Sequence, residues 1–301
     1  MAPVIDVSDL HKSYADVAAV RGVSFQVEAG EVVAVLGPNG AGKTTTIEML
    51  EGFRTPDSGT IRVLDTDPAT GGSALRQRLG IVLQECGIDP YLSVTEVLTQ
   101  HASYYEHPRG VDDVITLVGL DEKRSSRVKT LSGGQQRRLD VGLGIIGSPE
   151  ILFLDEPTTG FDPSARRQAW ELVHRLRDLG TTVLLTTHYM DEAQELADRV
   201  IVIAAGRIIA EGTPDTIGGR SQARTTIRIP WPDDRDLASL PLPATRDGQN
   251  AVMETDAVTR DVHAVTTWAI DHGIDLDGMT VTRPSLEDIY LELTSAPADE
   301  S

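Results

Sequence analysis

Short apolar runs recur along the chain and leave room for helices between them. They occupy residues 32–36, 81–83, 151–154, 183–185 and 200–204. Continuous runs of this length are typical of strands that are buried on both faces of a sheet. Because several runs are followed by helical patterns, the sequence predicts an α/β fold with connecting helices.

Helical periodicity is clearest ahead of the run at 183–185. Apolar residues recur every three or four positions from Ala169 to Leu179, and Gly180 is a residue at which the helix can end. The region after residue 86 is different, with polar helical segments and a charged run. We expect a helical insertion subdomain at about 86–150 within the α/β core.

The composition changes near residue 219. Residues 221–301 contain 15 acidic side chains, 6 arginines and no lysine. Ile227 and Ile229 alternate as in a strand, apolar residues between 258 and 269 have helical spacing, and Ser285 can cap a last helix. We therefore expect two domains, 1–219 and 220–301, of which the second is a small α+β accessory domain.

Composition and charge narrow the possible functions. The chain of 301 residues has 27 basic and 46 acidic side chains, a formal net charge of -19. This charge repels phosphate backbones, so nucleic-acid binding is not expected. The single cysteine, Cys86, allows no intrachain disulfide and suits a reducing cytosol. No apolar stretch approaches the ~20 residues that span a bilayer.

A glycine-rich loop follows the first buried strand and precedes a helical pattern. It matches the phosphate-binding pattern G-x-x-x-x-G-K-[ST] and reads Gly37, Pro38, Asn39, Gly40, Ala41, Gly42, Lys43 and Thr44. Glycines let backbone N–H groups converge on phosphate oxygens, the helix N-terminus adds positive potential, and Lys43 adds a full charge. The Thr44 hydroxyl would bind Mg²⁺. The loop alone does not separate GTPases, kinases, helicases and transport ATPases.

Two adjacent carboxylates follow the strand at 151–154. Asp155 would hold the metal, while Glu156 points elsewhere and would orient or deprotonate the attacking water. His188 lies just past the next strand, where its imidazole could hydrogen-bond the γ-phosphate. These residues predict a nucleotide hydrolase.

A second anion-binding sequence follows the helical insertion. It consists of Leu131, Ser132, Gly133, Gly134 and Gln135 at the start of a helix. The phosphate-binding loop at 37–44 already provides this chain with one site for a triphosphate. The second site makes sense if it closes over the nucleotide of another copy, so ATP binding is expected to produce a homodimer.

Taken in order, these motifs closely resemble those of the ATP-binding cassette (ABC) ATPases over roughly residues 4–216. The resemblance implies a P-loop NTPase core, ATP hydrolysis and Mg²⁺. It also implies that Thr45 belongs to the nucleotide loop, that Gln84 contacts Mg²⁺ and senses a membrane partner, and that Asp162 couples two composite sites. Tyr14 matches the aromatic residue that stacks on adenine, with core packing as the alternative.

The last segment, 283–294, looks like the end of drug, antibiotic and lipid exporter ATPases of the daunorubicin-resistance type. It is equally compatible with a capped helix that seals the accessory domain. The favoured function is a motor subunit that drives a separate membrane permease, attached to the cytoplasmic face of the membrane through that permease. An importer ATPase is the nearest alternative. A soluble cassette protein that acts on ribosomes or DNA is a further alternative. It is disfavoured because the sequence shows neither the second cassette expected of a ribosomal member nor the coiled coil expected of a DNA-repair member.

Overall fold

The computed structural model describes residues 2–83, 87–232 and 235–295. The chain divides into two compact units, Met1–Pro214 and Asp215–Ser301. This division lies a few residues before the boundary suggested by composition. The short 3₁₀ segment Ile217–Gln222 belongs to the second unit because it packs against that unit's last helix.

The strands of the first unit form two sheets. In chain order they are β1 (Ile5–Tyr14), β2 (Val17–Val27), β3 (Val32–Leu36), β4 (Ser58–Val63), β5 (Leu79–Val82), β6 (Ile151–Asp155), β7 (Thr182–Thr187), β8 (Arg199–Ala204) and β9 (Arg207–Gly212). Within the described residues, one sheet has the order β2-β1-β4 and is antiparallel. The other has the order β5-β6-β7-β3-β8-β9, and only β9 in it is antiparallel.

Helices connect the parallel strands. They are α1 (Lys43–Leu50), α2 (Gly72–Arg76), α3 (Val94–Ala102), α4 (Val111–Leu117), α5 (Gly133–Ile145), α6 (Pro163–Asp178) and α7 (Met190–Leu196). The 3₁₀ turns Asp121–Lys123 and Val128–Thr130 lie between α4 and α5. The segment between β5 and β6 is therefore helical, as the sequence indicates.

The hydrophobic pattern located the central strands well, and the α/β fold is confirmed. Strand β3 is buried throughout and has the expected bounds. Two details differ. Leu83 lies outside β5 and is 45% exposed, and Leu179 is 58% exposed because it is the C-cap residue that follows α6. Val173 and Leu176 do face the core.

The second unit has an α+β composition. It contains β10 (Thr225–Pro230), β11 (Thr245–Asp247), β12 (Asn250–Thr255), β13 (Thr280–Thr282), α8 (Val258–Asp271) and α9 (Leu286–Ser295). The strand order is β11-β12-β10-β13 among the described residues. Ile227, Ile229 and Val265 join a core around Trp231. Ser285 caps α9 as expected, since its hydroxyl accepts from the Asp288 N–H at 3.1 Å.

Candidate functional site

The phosphate-binding loop connects β3 to α1, and its shape depends on glycine. A Cβ atom on Gly37 would lie 2.2 Å from the carbonyl oxygen of Ile203, and one on Gly42 would lie 2.3 Å from that of Ala19. The backbone of Gly42 is also left-handed, with φ at 102°. Other residues at these positions would push the loop out of its present course.

Lys43 begins α1, and its side chain folds back over the loop. Its ammonium group donates to the carbonyl oxygens of Gly37 at 2.7 Å and Pro38 at 3.1 Å. The residue is 7% exposed. Burial lowers the pKa of Lys43, while the charges of Glu156 and Asp155 oppose this change. The loop thus presents a cation next to the two carboxylates at the end of β6.

The predicted carboxylates stand where β6 ends. Asp155 accepts a 2.5 Å hydrogen bond from the hydroxyl of Thr186 on β7. Carboxylate and hydroxyl oxygens, together with phosphate, are ligands that Mg²⁺ prefers. Asp155 and the exposed Thr44 at the start of α1 therefore have the right chemistry to hold a Mg²⁺ ion between them and a bound phosphate.

Glu156 has an unusual backbone, with φ at 43°. Its N–H donates to the Thr186 carbonyl at 3.1 Å, and its Oε2 accepts from the Thr159 hydroxyl at 3.1 Å. Its Oε1 lies 3.2 Å from Nδ1 of His188. Residues that are not glycine rarely adopt positive φ, and such strain concentrates at functional sites. The structure therefore brings Glu156 and His188 together, as a carboxylate and imidazole pair.

The predicted second anion-binding sequence opens α5. Ser132 accepts from the Gln135 N–H at 3.3 Å, and Gln135 Oε1 accepts from the Ser132 N–H at 3.0 Å, which makes a capping box. Ser132 and Gly133 are exposed, whereas Leu131 is buried beneath them. The sequence predicted this helix start correctly.

An open cavity of about 590 Å³ lies at this helix start. Its walls include Ser132, Gly133, Gly134, Gln135 and Asp162. Asp162 caps α6, and its Oδ1 accepts from the N–H groups of Ser164 and Ala165, both at 2.9 Å. The phosphate-binding loop contributes nothing to these walls. The two predicted anion sites of one chain are therefore separate surfaces.

The sequence analysis did not identify Arg137, a residue of α5 that connects this helix to the ends of β5 and β6. Its guanidinium donates to the backbone carbonyls of Leu83, Asp155 at 2.8 Å and Pro157 at 3.2 Å. The residue is 8% exposed. The hydrophobic pattern does not indicate a buried cation at this position. The one feature of the sequence that could have drawn attention to Arg137 is its position two residues after Gln135.

Tyr14 lies at the end of β1 and is 38% exposed. The Arg54 guanidinium lies 5.3 Å from its ring centroid. The alternative of core packing is therefore wrong for this side chain. Gln84 and Cys86 lie outside the described residues, so the predictions about them have no structural counterpart.

The fold and these motifs define a P-loop nucleotide hydrolase with two candidate anion-binding surfaces. Residues 20–159 match the family described as ABC transporter, and residues 225–285 match the C-terminal domain described as ABC transporter domain-containing protein-like. The daunorubicin/doxorubicin resistance ATP-binding protein DrrA of Streptomyces peucetius is 38% identical over 98% of this chain and 94% of its own length. The Nod factor export ATP-binding protein I of Rhizobium meliloti (strain 1021) is 37% identical over 96% of this chain and 88% of its own length.

Solved structures agree with these relatives. The structure of cbiO1 from Clostridium perfringens, part of the ABC transporter complex cbiONQ, superposes with a TM-score of 0.65 at 30% identity. The match covers 71% of this chain and 90% of that one. The chain therefore belongs to the ABC transporter family as an ATP-binding subunit, and it hydrolyses ATP. None of its described helices is both long and apolar enough to cross a membrane.

Proposed function

We propose that this chain is the motor subunit of an ABC exporter and drives a separate permease that removes a drug, antibiotic or lipid-like molecule. The observation that carries the proposal is the nearly full-length match to DrrA, which is named as a daunorubicin/doxorubicin resistance protein. A second relative matched over 96% of this chain is named for Nod factor export. Both matches extend beyond the cassette into the second unit.

The contacts at the end of β6 support the catalytic roles of Lys43, Asp155, Glu156 and His188, and the role of Gln84 comes from the family resemblance. Lys43 and the backbone of residues 37–45 hold the β- and γ-phosphates. Thr44, Asp155 and Gln84 hold Mg²⁺, which neutralises phosphate charge when it is bound. Glu156 orients and deprotonates the attacking water, because its carboxylate is already aimed by Thr159. His188 lies against Glu156 and contacts the γ-phosphate.

The exposed start of α5 supports a head-to-tail homodimer. Ser132, Gly133 and Gly134 line an open cavity that the chain's own phosphate-binding loop does not line. A helix N-terminus binds phosphate favourably. Residues 131–135, with Asp162, therefore close over the ATP of the other copy, and Tyr14 stacks on the adenine of its own.

The permease holds the subunit at the cytoplasmic face of the membrane. The segment between β5 and β6 is suited to contact it because Arg137 ties that segment to the site. Arg137 bonds the carbonyls of Leu83, where the segment begins, and of Asp155. A movement of the segment would therefore displace Arg137 and, through it, the backbone at Asp155. The second unit is an accessory domain for this assembly.

Purification from membranes tests the proposal. A tagged chain should co-purify with a protein that has several membrane spans, and inverted vesicles containing both should accumulate an amphipathic drug when ATP is added. Vesicles with Glu156→Gln, which keeps the side chain's size, are the control and should accumulate none. Co-purification without a membrane protein, or ATP-driven movement out of the inverted vesicles, would refute export.

A further inference from the structure

The imidazole of His188 lies against the ring of the next residue in the chain. The ring centroids of His188 and Tyr189 are 4.1 Å apart, and the ring planes are tilted by 38°. Consecutive side chains of an extended strand point to opposite sides, so this contact requires the turn that follows β7. The Tyr189 N–H holds this turn, since it donates to Thr187 Oγ1 at 3.0 Å. Tyr189 is thus placed to limit how the imidazole rotates.

Arg166 of α6 contacts the same tyrosine ring. Its guanidinium carbon lies 4.5 Å from the ring centroid of Tyr189, within the range of a cation–π interaction. Its Nη1 also donates to Oδ2 of Asp191, in the first turn of α7, at 2.7 Å. The Arg166 side chain is 22% exposed. One guanidinium therefore holds both the ring and the first turn of the helix that follows it.

The contacts continue from the imidazole to the catalytic carboxylate. Nδ1 of His188 lies 3.2 Å from Oε1 of Glu156. The His188 side chain is 43% exposed, and a half-exposed imidazole can turn about χ2 over a broad range. Only some of these orientations direct Nδ1 at Glu156. A ring packed against the imidazole disfavours the others, and a guanidinium packed against that ring keeps it in place.

We propose that Tyr189 and Arg166 are positioning residues for His188 in ATP hydrolysis. The ring of Tyr189 orients the imidazole towards Glu156, and Arg166 fixes this ring from α6. The N–H of Arg166 donates to the carbonyl of Asp162 at 3.0 Å, so Arg166 lies one turn from the residue that caps α6. The inference rests on the proposed roles of Glu156 and His188 in hydrolysis.

Substitutions at Tyr189 separate orientation from simple packing. Tyr189→Leu keeps an apolar side chain but removes the ring, and it should lower kcat about 10-fold. The KM for ATP should stay within about twofold of the wild type, because residues 37–45 hold the phosphates. Tyr189→Phe keeps the ring and should retain most of kcat. Equal losses of kcat in the two variants, or a KM that rises in proportion to the loss, would overturn the proposal.

Arg166→Met tests the second contact. It keeps most of the side-chain length but removes the charged plane, and it should lower kcat about three- to fivefold. Arg175→Met is the matched control, since Arg175 is also on α6 and pairs with Glu171 at 4.0 Å, with both side chains more than half exposed. It should leave kcat unchanged. If Tyr189→Leu does not fold, an unchanged kcat in Arg166→Met overturns the proposal by itself.

A double-mutant cycle decides whether Tyr189 acts through His188. In a His188→Ala background, Tyr189→Leu should lower kcat little further, because the imidazole that it orients is gone. Losses that multiply would overturn the proposal, since Tyr189 would then act independently of His188. Normal turnover in His188→Ala would refute the role of His188 in the proposed function, and the inference with it. Normal turnover in Tyr189→Leu beside an impaired His188→Ala would overturn the inference alone.

Discussion

Replacing Arg137 with Met is expected to destabilise the first unit strongly. The guanidinium joins α5 to three backbone carbonyls, those of Leu83, Asp155 and Pro157. Hydrogen bonds from a charged group contribute about 1.5–3 kcal/mol each, and a buried acceptor left unpaired costs about 1–3 kcal/mol. The three bonds are lost together and Met refills part of the volume. We therefore expect a net loss of about 3–5 kcal/mol.

Urea unfolding and thermal melting measure this loss. For a unit of this size, 1 kcal/mol corresponds to about 2–4 °C, so the melting temperature should fall by about 10 °C. Arg138→Met is the control, because this neighbouring guanidinium donates to one carbonyl, that of Gly119, at 3.1 Å. It should cost less than about 1 kcal/mol. If both variants lose equal stability, the role assigned to Arg137 is refuted.

Three further predictions concern single side chains. Glu156→Gln should lower turnover at least about 100-fold and preserve ATP binding, so that ATP gives a dimer on size-exclusion chromatography; undiminished phosphate release would refute the base. Lys43→Ala should weaken ATP binding about 10- to 100-fold by calorimetry, because a charge facing the phosphates is lost; equal affinity would remove it from the site. Burial and the charges of Asp155 and Glu48 raise the pKa of Glu51 from 4.5 to about 8. Protonated Glu51 therefore makes its full contribution to the stability of the folded chain below pH 4.5, and this contribution is lost as the pH rises towards 8. Glu51→Gln should raise the melting temperature at pH 8 and not at pH 4.5.

The sequence predicted those parts of the site that depend on local chain geometry. The loop before Lys43 needs glycine where a Cβ would strike a backbone oxygen at 2.2 Å, so the glycine pattern is visible in the sequence. Ser132 caps α5 through the residue three positions later, again a local pattern. Strand β3 is buried on both faces and therefore reads as a continuous apolar run.

Long-range contacts were not predictable in this way. Arg137 bonds carbonyls that lie 18 to 54 positions away in the chain, and the buried carboxyl of Glu192 on α7 accepts from Trp170 on α6 at 3.4 Å. A charged residue in an amphipathic helix usually faces solvent. The pattern therefore carries no sign that these two are buried, and only the packing of α5 and α7 on the sheet reveals it.

The order of the sheet explains why residues so distant in sequence act together. The site segments follow β3, β5, β6 and β7, but the spatial order is β5-β6-β7-β3. These strands are parallel, so their carboxyl ends meet at one edge, where ligands bind in open α/β sheets. The loop that leads to Lys43 and the turn that carries His188 therefore begin side by side, because Leu36 at the end of β3 pairs with Thr187 at the end of β7. The helical segment between β5 and β6 is a crossover connection. It can therefore be longer without changing the pairing of β5 with β6.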